Sequence, residues 1–146
     1  MATSGRLPSS PIRNRLLSAS FRKGRSTLPN NMEQVALTFG DVLAEPGQRI
    51  RHVYFPTSGF ISLLAKADAR STLEVGLIGD EGMLGASLIL GVKGSPLRAI
   101  VQGTGTALRM KTPDFERDMS VNARLERNLK CYVFVLMAQL ARASVC

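Results

Sequence analysis

Short alternating runs of apolar and polar residues, separated by turn residues every few positions, occupy residues 33–110. The run from Leu73 to Leu77 shows this period of two most strictly. Such alternation is typical of strands with one buried face, and closely spaced turns favour antiparallel pairing over parallel strands joined by crossover helices. Turns are also expected at residues 56–59 and 103–105, where glycines interrupt the runs. The pattern therefore predicts an antiparallel, jelly-roll-like β-roll.

A long helix is predicted after the roll, because neither glycine nor proline occurs from residue 120 to the end of the sequence. Thr112-Pro113 marks a shorter helix before it, with threonine as the cap and proline in the first turn. Apolar residues of the long helix recur at spacings of four, three, four and three, forming a heptad seam of Leu129, Val133, Leu136, Leu140 and Ala143. The other side of this helix is apolar too, so we expect it to form a homodimer. The alternative is that the helix packs only on its own roll.

The length of 146 residues suits a single core with an appendage, and the charge is unevenly distributed. Six of the 19 basic residues and no acidic residue lie in residues 1–30, whereas the remainder carries 13 basic and 11 acidic residues. A nucleic-acid-binding surface is therefore not expected on the body of the protein. We divide the chain into a basic leader with a short helix (1–32), the roll (33–119) and the dimerisation helix (120–146). The leader also has the composition of an organelle transit peptide, which is the alternative.

Several classes of site are excluded by residue counts. The single histidine, His52, cannot form a site built from several imidazoles, which argues against a metal centre and against a cupin-like enzyme. Cys131 and Cys146, 15 residues apart on one predicted helix, are too far apart to form a disulfide, which indicates a reducing, cytoplasmic location. The longest late apolar run has eight residues, far short of the roughly 20 needed to cross a bilayer, so no membrane association is expected.

Three local strings, in this order, resemble the bacterial Crp/Fnr transcription regulators. Residues 40–47 (GDVLAEPG) resemble the opening strand and turn of that family, and residues 52–59 (HVYFPTSG) resemble its next strand and glycine turn. Residues 79–85 lie where the family's phosphate-binding cassette falls, and the last helix lies where these proteins dimerise. The likeness covers about three quarters of the chain, from Gly40 onward. It implies the cyclic-nucleotide-binding-domain fold, with short N-terminal helices and a long C-terminal dimerisation helix.

The cassette departs from the family pattern at both ligand positions. Met83 follows Gly82 where the nucleotide-binding members have a glutamate for the ribose. Aligned on Ala99, Leu97 occupies the place of the phosphate-binding arginine, and Arg98 falls one residue late, on the opposite face of a strand. A degenerate pocket is therefore expected, with no cofactor and with cyclic nucleotide disfavoured as ligand. Its candidate residues are Gly79, Glu81, Gly82, Met83, Leu84, Gly85, Leu97, Arg98 and Ala99.

Alternatives remain for individual residues. Glu81 would replace the missing carboxylate only if the turn shifted its register. Arg98 is expected in a surface ion pair, with a ligand contact as the alternative. His52 is expected to be a half-exposed strand residue and Cys131 a small buried apolar group, with pH sensing and thiol sensing as their respective alternatives.

The resemblance also implies a partner for the chain. Crp/Fnr regulators continue beyond the long helix into a winged helix-turn-helix, whereas this sequence stops at Cys146. DNA binding is therefore expected only through a helix-turn-helix absent from this sequence. The predicted function is that of the effector-sensing and dimerisation domain of a Crp/Fnr-type regulator. A free-standing interaction module without ligand is the alternative, and a cupin-like enzyme is disfavoured.

Overall fold

The computed structural model describes residues 13–20 and 31–145. Within these residues, five strands form one antiparallel sheet in the order β1-β5-β3-β4, and β2 also pairs with β5. The elements in chain order are α1 (Arg15–Ser20), β1 (Met32–Leu37), β2 (Val42–Ala44), β3 (His52–Lys66), β4 (Thr72–Ile78), a 3-10 helix (Ala86–Leu90), β5 (Arg98–Lys111), α2 (Thr112–Val121) and α3 (Ala123–Val145). The antiparallel α+β architecture predicted from the alternating runs is confirmed.

The strands β3 and β5 are continuous over 15 and 14 residues, although turns were predicted within both of them. The two glycine-containing segments instead lie opposite each other, and the pairing register shifts between Pro56 and Ile61. A Cβ atom on Gly59 would lie 2.3 Å from the carbonyl oxygen of Gly103, and one on Gly105 would lie 2.3 Å from that of Ser58. These glycines therefore let two bent backbones approach closely, and the sheet rolls at this point instead of ending.

Two apolar clusters make up the core. The first lies between the sheet and the helices and contains Phe55, Met83, Phe115 and Leu129. The second lies inside the roll and includes Ile61, Leu63, Ile78 and Val101. Leu136 packs against both clusters, so α3 connects the helical layer with the interior of the roll.

The helix ends differ slightly from the sequence prediction. Lys111, not Thr112, is the residue before α2, and the Thr112 hydroxyl donates a hydrogen bond to the carbonyl of Ile50 instead of capping the helix. Asn122 separates α2 from α3, and its side-chain oxygen accepts a hydrogen bond of 3.0 Å from the amide of Leu125. This side chain satisfies an unpaired amide of the first turn, so α3 begins at Ala123.

Candidate functional site

The cassette-like turn, residues 79–85, is closed by its own hydrogen bonds. The amide of Gly82 donates to the carbonyl of Gly79 at 3.2 Å, and the amide of Gly79 donates to a carboxylate oxygen of Glu81 at the same distance. Glu81 is exposed and folded back on its own turn. Its carboxylate therefore does not stand in for the missing ribose-binding glutamate in this arrangement.

Side chains from the first and the last helical regions of the described chain donate hydrogen bonds to carbonyl groups of this turn. The fully buried Asn14, which lies just before α1, donates from its amide nitrogen to the carbonyls of Gly82 and Pro56, each at 2.9 Å. The Tyr132 hydroxyl on α3 donates to the carbonyl of Met83 at 3.3 Å. A Cβ atom on Gly82 would lie 2.4 Å from the Tyr132 oxygen, so only glycine lets the ring pack there. Hydrogen bonds therefore connect the turn to the start of α1 and to α3.

Burial raises the pKa of the Tyr132 phenol to about 12. The hydroxyl therefore stays protonated throughout the neutral range and remains a donor. Tyr132 was not among the candidate pocket residues predicted from the sequence. Its aromatic ring on the C-terminal helix carried no signal that distinguished it from an ordinary core residue.

The segment after the turn forms one short helix. Residues 86–90 form a single 3-10 helix, in which the amide of Leu88 donates to the carbonyl of Gly85. Five residues align too few peptide dipoles for an anion site of the helix-terminus kind. The apolar segment instead contributes Leu88 and Ile89 to the core.

A cavity of about 400 Å³ opens between the roll, the cassette-like turn and α3. Its apolar wall is formed by residues from β2, β3, β4, the turn, the segment just before β5 and α3, namely Leu43, Leu63, Ile78, Met83, Leu84, Leu97, Leu136 and Leu140. Its polar lining comes mainly from the segment that leads into β3 and from two serines, namely Gln48, Arg49, Arg51, His52, Ser87 and Ser95. No aspartate or glutamate of the described chain lines it.

The candidate pocket residues divide into two groups. Met83, Leu84, Gly85 and Leu97 line the cavity. The others do not, namely Gly79, Glu81, Gly82, Arg98 and Ala99. Ala99 is fully buried in the core of the roll.

Arg98 lies in an ion pair at the surface. Its Nε atom is 3.4 Å from a carboxylate oxygen of Glu45, and both side chains are 41% exposed. Leu97, the residue before it, lines the cavity. The two side chains therefore take opposite sides, as neighbouring residues do at a strand edge.

The predicted seam of α3 lies mostly against its own chain. Leu129 is fully buried in the first core cluster, Val133 and Leu136 are half-buried against the core, and Leu140 lines the cavity. The side chain of Ala143 lies outside the described residues. Heptad spacing alone does not tell an intramolecular face from a face that pairs with a second chain.

The opposite side of α3 is the exposed apolar side. Phe134, Val135 and Met137 are 72%, 60% and 59% exposed, and Cys131 beside them is an exposed free thiol. Cys131 was expected to be buried, and that prediction is wrong because it lies on this outward side. We call Cys131, Phe134, Val135 and Met137 the outer stripe of α3.

His52 and two arginines at the cavity edge complete the site. Partial burial lowers the pKa of His52, and nearby cations, Arg109 first, lower it further. Arg49 and Arg51 were not singled out from the sequence. They flank Ile50 in an exposed segment, and only the observed cavity connects them to a site.

Within the described part of the chain, no three side chains of the metal-binding types lie close enough together to hold a metal ion. Of the helices in residues 13–20 and 31–145, none has the length and apolar character that crossing a bilayer requires.

The chain is similar to known proteins in its three-dimensional structure and not in its sequence. No family model and no curated protein sequence matches the chain. The c-di-GMP-responsive global regulator CLP of Xanthomonas campestris superposes with a TM-score of 0.67 at 12% identity, covering 77% of this chain and 57% of its own. The N-terminal domain of a transcriptional regulator from Streptomyces coelicolor gives a TM-score of 0.59 at 16% identity, with coverages of 91% and 94%.

A cyclic-nucleotide-binding-like protein from Brucella abortus gives a TM-score of 0.53 at 19% identity, with coverages of 61% and 76%. The chain thus spans little more than half the length of CLP but nearly all of the Streptomyces domain. At these identities the likeness concerns the backbone arrangement. The chain adopts the fold of the cyclic-nucleotide-binding domain, as found in bacterial transcription regulators of the Crp/Fnr type.

Proposed function

We propose that this chain is the effector-sensing and dimerisation domain of a Crp/Fnr-type transcription regulator, with a degenerate phosphate-binding cassette and no enzymatic activity. The observation that carries the proposal is the cavity between the roll and α3, which is lined by Met83 and Leu97 at the two positions where nucleotide-binding relatives need charged groups. The neighbouring structures include regulators, which supports a regulatory role.

The residues at the two family ligand positions, Met83 and Leu97, argue against a cyclic nucleotide bound in the orientation that the relatives use. A cyclic phosphate held as in the nucleotide-binding relatives needs a charge-assisted partner at the position of Leu97, and the next residue in sequence, Arg98, is paired with Glu45 at the surface. Met83 offers no hydrogen-bond acceptor that could replace a carboxylate at the ribose. A cyclic nucleotide would therefore lose the two interactions that orient it.

Dimerisation through α3 is supported by its outer stripe. Between Cys131 and Ala141 the helix carries no charged residue, and Phe134, Val135 and Met137 are left largely exposed by their own chain. An exposed apolar helix face of this kind favours association, and a second copy around a two-fold axis would cover both stripes at once. We therefore place the dimer contact on the outer stripe and not on Leu129.

The same helix would couple ligand binding in the cavity to the dimer contact. Leu136 and Leu140 line the cavity on one side of α3, and the outer stripe lies on another. A ligand that fills the cavity would push on the helix that also forms the dimer contact. In a full-length regulator, DNA-binding domains attached beyond α3 would then be reoriented.

The test combines assembly with ligand response. Sedimentation velocity should give a dimer at micromolar concentration, and a cavity ligand should raise the melting temperature because it binds only the folded state. A monomer at tens of micromolar would contradict the dimerisation part. A dimer that no nucleotide or apolar acid stabilises would instead indicate an interaction module without effector.

A further inference from the structure

We propose that the cavity binds an amphipathic anion, a molecule with an apolar chain or ring and one anionic head group, with Arg49 and Arg51 holding the head group. The inference rests on the proposed sensor function and specifies the chemical class of the effector.

The first step of the argument is the apolar depth of the cavity. Met83 and Ile78 are almost completely buried, and Leu63 and Leu84 are nearly so, yet all four line the space of about 400 Å³. A volume of this size is at the lower end of the range of small-molecule sites, which are mostly apolar and carry a few polar groups for orientation. The wall therefore suits a hydrocarbon chain or an aromatic ring.

The second step concerns the sign of the charge at the polar edge of the cavity. Arg49 and Arg51 line the cavity, and neither forms an ion pair with any described residue. Two acidic residues on adjoining segments are already engaged, because Glu45 pairs with Arg98 and Glu116 pairs with Lys93. The edge therefore presents uncompensated positive charge toward a ligand.

The two serines that line the cavity offer no free hydroxyl proton to a ligand. The Ser87 hydroxyl donates to the carbonyl of Gly94 at 3.0 Å, and the Ser95 hydroxyl donates to that of Leu97 at 2.7 Å. Both hydroxyl protons are thus used within the protein. Gln48, His52 and Tyr54 also line the cavity, but the guanidinium groups of the two arginines are the charged donors, and their planar fork suits a carboxylate or phosphate.

The backbone that carries the arginines is held in place. The amide of Ile50 donates to the carbonyl of Lys93 at 2.9 Å, and the amide of Thr112 donates to the carbonyl of Arg51 at 3.0 Å. Arg49 pairs through its backbone with Gly94. Side chains on a fixed segment lose less freedom on binding than those of a free loop, which favours their use in recognition.

The pKa of His52 is lowered first by partial burial and then by neighbouring cations at this edge. The cations that contribute, after partial burial, are Arg109, Lys111 and Arg51, and only Glu33 acts in the opposite direction. An anionic head group would reduce the repulsion among these cations, which adds to its affinity.

The test is calorimetric titration of the complete chain with decanoate, decanol and acetate. Decanoate has both the apolar chain and the carboxylate, decanol has the chain without the charge, and acetate has the carboxylate without the long chain. Decanoate should bind about tenfold or more tightly than either of the others, because only decanoate satisfies both parts of the site. The double variant Arg49→Gln/Arg51→Gln should lose about tenfold in decanoate affinity and should leave decanol binding unchanged. The matched control Arg70→Gln/Arg124→Gln removes two exposed arginines that do not line the cavity and should bind decanoate like the wild type.

Equal affinity for decanoate and decanol, no decanoate binding, or equal losses in the two double variants would each overturn the inference. These outcomes are separate from those of the proposed function. A dimer that does not bind decanoate overturns only the inference, whereas a monomer that binds decanoate with the expected arginine dependence supports it and overturns the dimer.

Discussion

The hydroxyl of Tyr132 donates a hydrogen bond to the carbonyl of Met83, and this contact joins the C-terminal helix to the cassette-like turn. The ring also packs against Gly82, the residue before Met83. The side chain of Met83 meanwhile lines the cavity. A cavity ligand that displaced Met83 would therefore act on α3 through this one hydrogen-bonded contact.

The first prediction concerns this hydrogen bond. Tyr132→Phe removes the hydroxyl and keeps the ring, so the carbonyl of Met83 loses a buried partner. We expect the free energy of unfolding to fall by about 1 kcal/mol, measured by urea denaturation. Tyr54→Phe is the control, since Tyr54 is only half-buried, and it should cost less. A larger loss in the control would contradict the assigned role of Tyr132.

The second prediction concerns alkaline pH. The pKa of Tyr132 is about 12 in the folded protein and near 10.0 in the unfolded chain. The contribution of the protonated phenol to the free energy of unfolding is therefore complete below pH 10. Between about pH 10 and 12 the unfolded chain releases this proton first, and unfolding becomes more favourable as the pH rises. The full effect is about 2 to 3 kcal/mol. The pH dependence of stability should be shallower in Tyr132→Phe over this window, and identical slopes in the two proteins would contradict the assignment.

The third prediction concerns space at the turn. Gly82→Ala places a methyl group 2.4 Å from the Tyr132 oxygen, so the ring or the turn must move. Overpacking of this kind costs about 1 to 3 kcal/mol, which thermal denaturation can measure. Gly94→Ala is the matched control, because its Cβ would meet nothing closer than 3.8 Å, and it should change stability by less than about 0.5 kcal/mol. Equal effects at the two glycines would show that Tyr132 does not constrain the turn.

The fourth prediction concerns the outer stripe. Phe134→Glu would place two like charges in the proposed dimer contact and should weaken the dimer about a hundredfold or more, as measured by sedimentation equilibrium. Val121→Glu introduces the same charge at an apolar residue of α2 that is 77% exposed, and it should leave the dimer intact. Leu136 is a poorer choice, since a charge there would also disturb both core clusters. Dissociation in Val121→Glu but not in Phe134→Glu would place the contact elsewhere.

The elements that could be predicted from the sequence are those with a strong local pattern. The period of two in β4 and the absence of Gly and Pro after residue 120 led to the strands and to α3. The period did not identify the buried face of β4, because Leu73 and Leu77 are 48% and 39% exposed. The glycines near Ser58 and Gly103 were less informative, because a glycine marks a turn and a close approach of two backbones equally well. Only the pairing of β3 with β5 distinguishes these two cases.

The parts of the site that could not be predicted depend on long-range placement. Asn14 lies in a basic, polar leader, yet it is completely buried, and its amide bridges residues 42 and 68 positions away. Arg49 and Arg51 have no local pattern that separates them from solvated charges. Leu129 and Phe134 both fit a helix that is apolar nearly all round, and only the position of the roll decides which of them is covered.

The last prediction tests the proposed degeneracy of the cassette by placing a positive charge at residue 97. Wild-type protein should bind cyclic AMP and cyclic GMP weakly or not at all in calorimetric titrations, because Leu97 lines the cavity where a guanidinium would be needed. Leu97 is only half-buried, so Leu97→Arg can extend into the cavity without opening a void in the core. We expect this variant to gain about tenfold or more in affinity for a cyclic nucleotide.

Arg98→Gln is the matched control for that gain. It breaks only a half-exposed ion pair with Glu45, so it should cost at most about 1 kcal/mol of stability and leave nucleotide binding unchanged. If the wild type bound either nucleotide at low micromolar concentration and Arg98→Gln abolished that binding, Arg98 would be the phosphate ligand. The surface pairing of Arg98 with Glu45 would then have to break in the bound state, and the cassette would be functional.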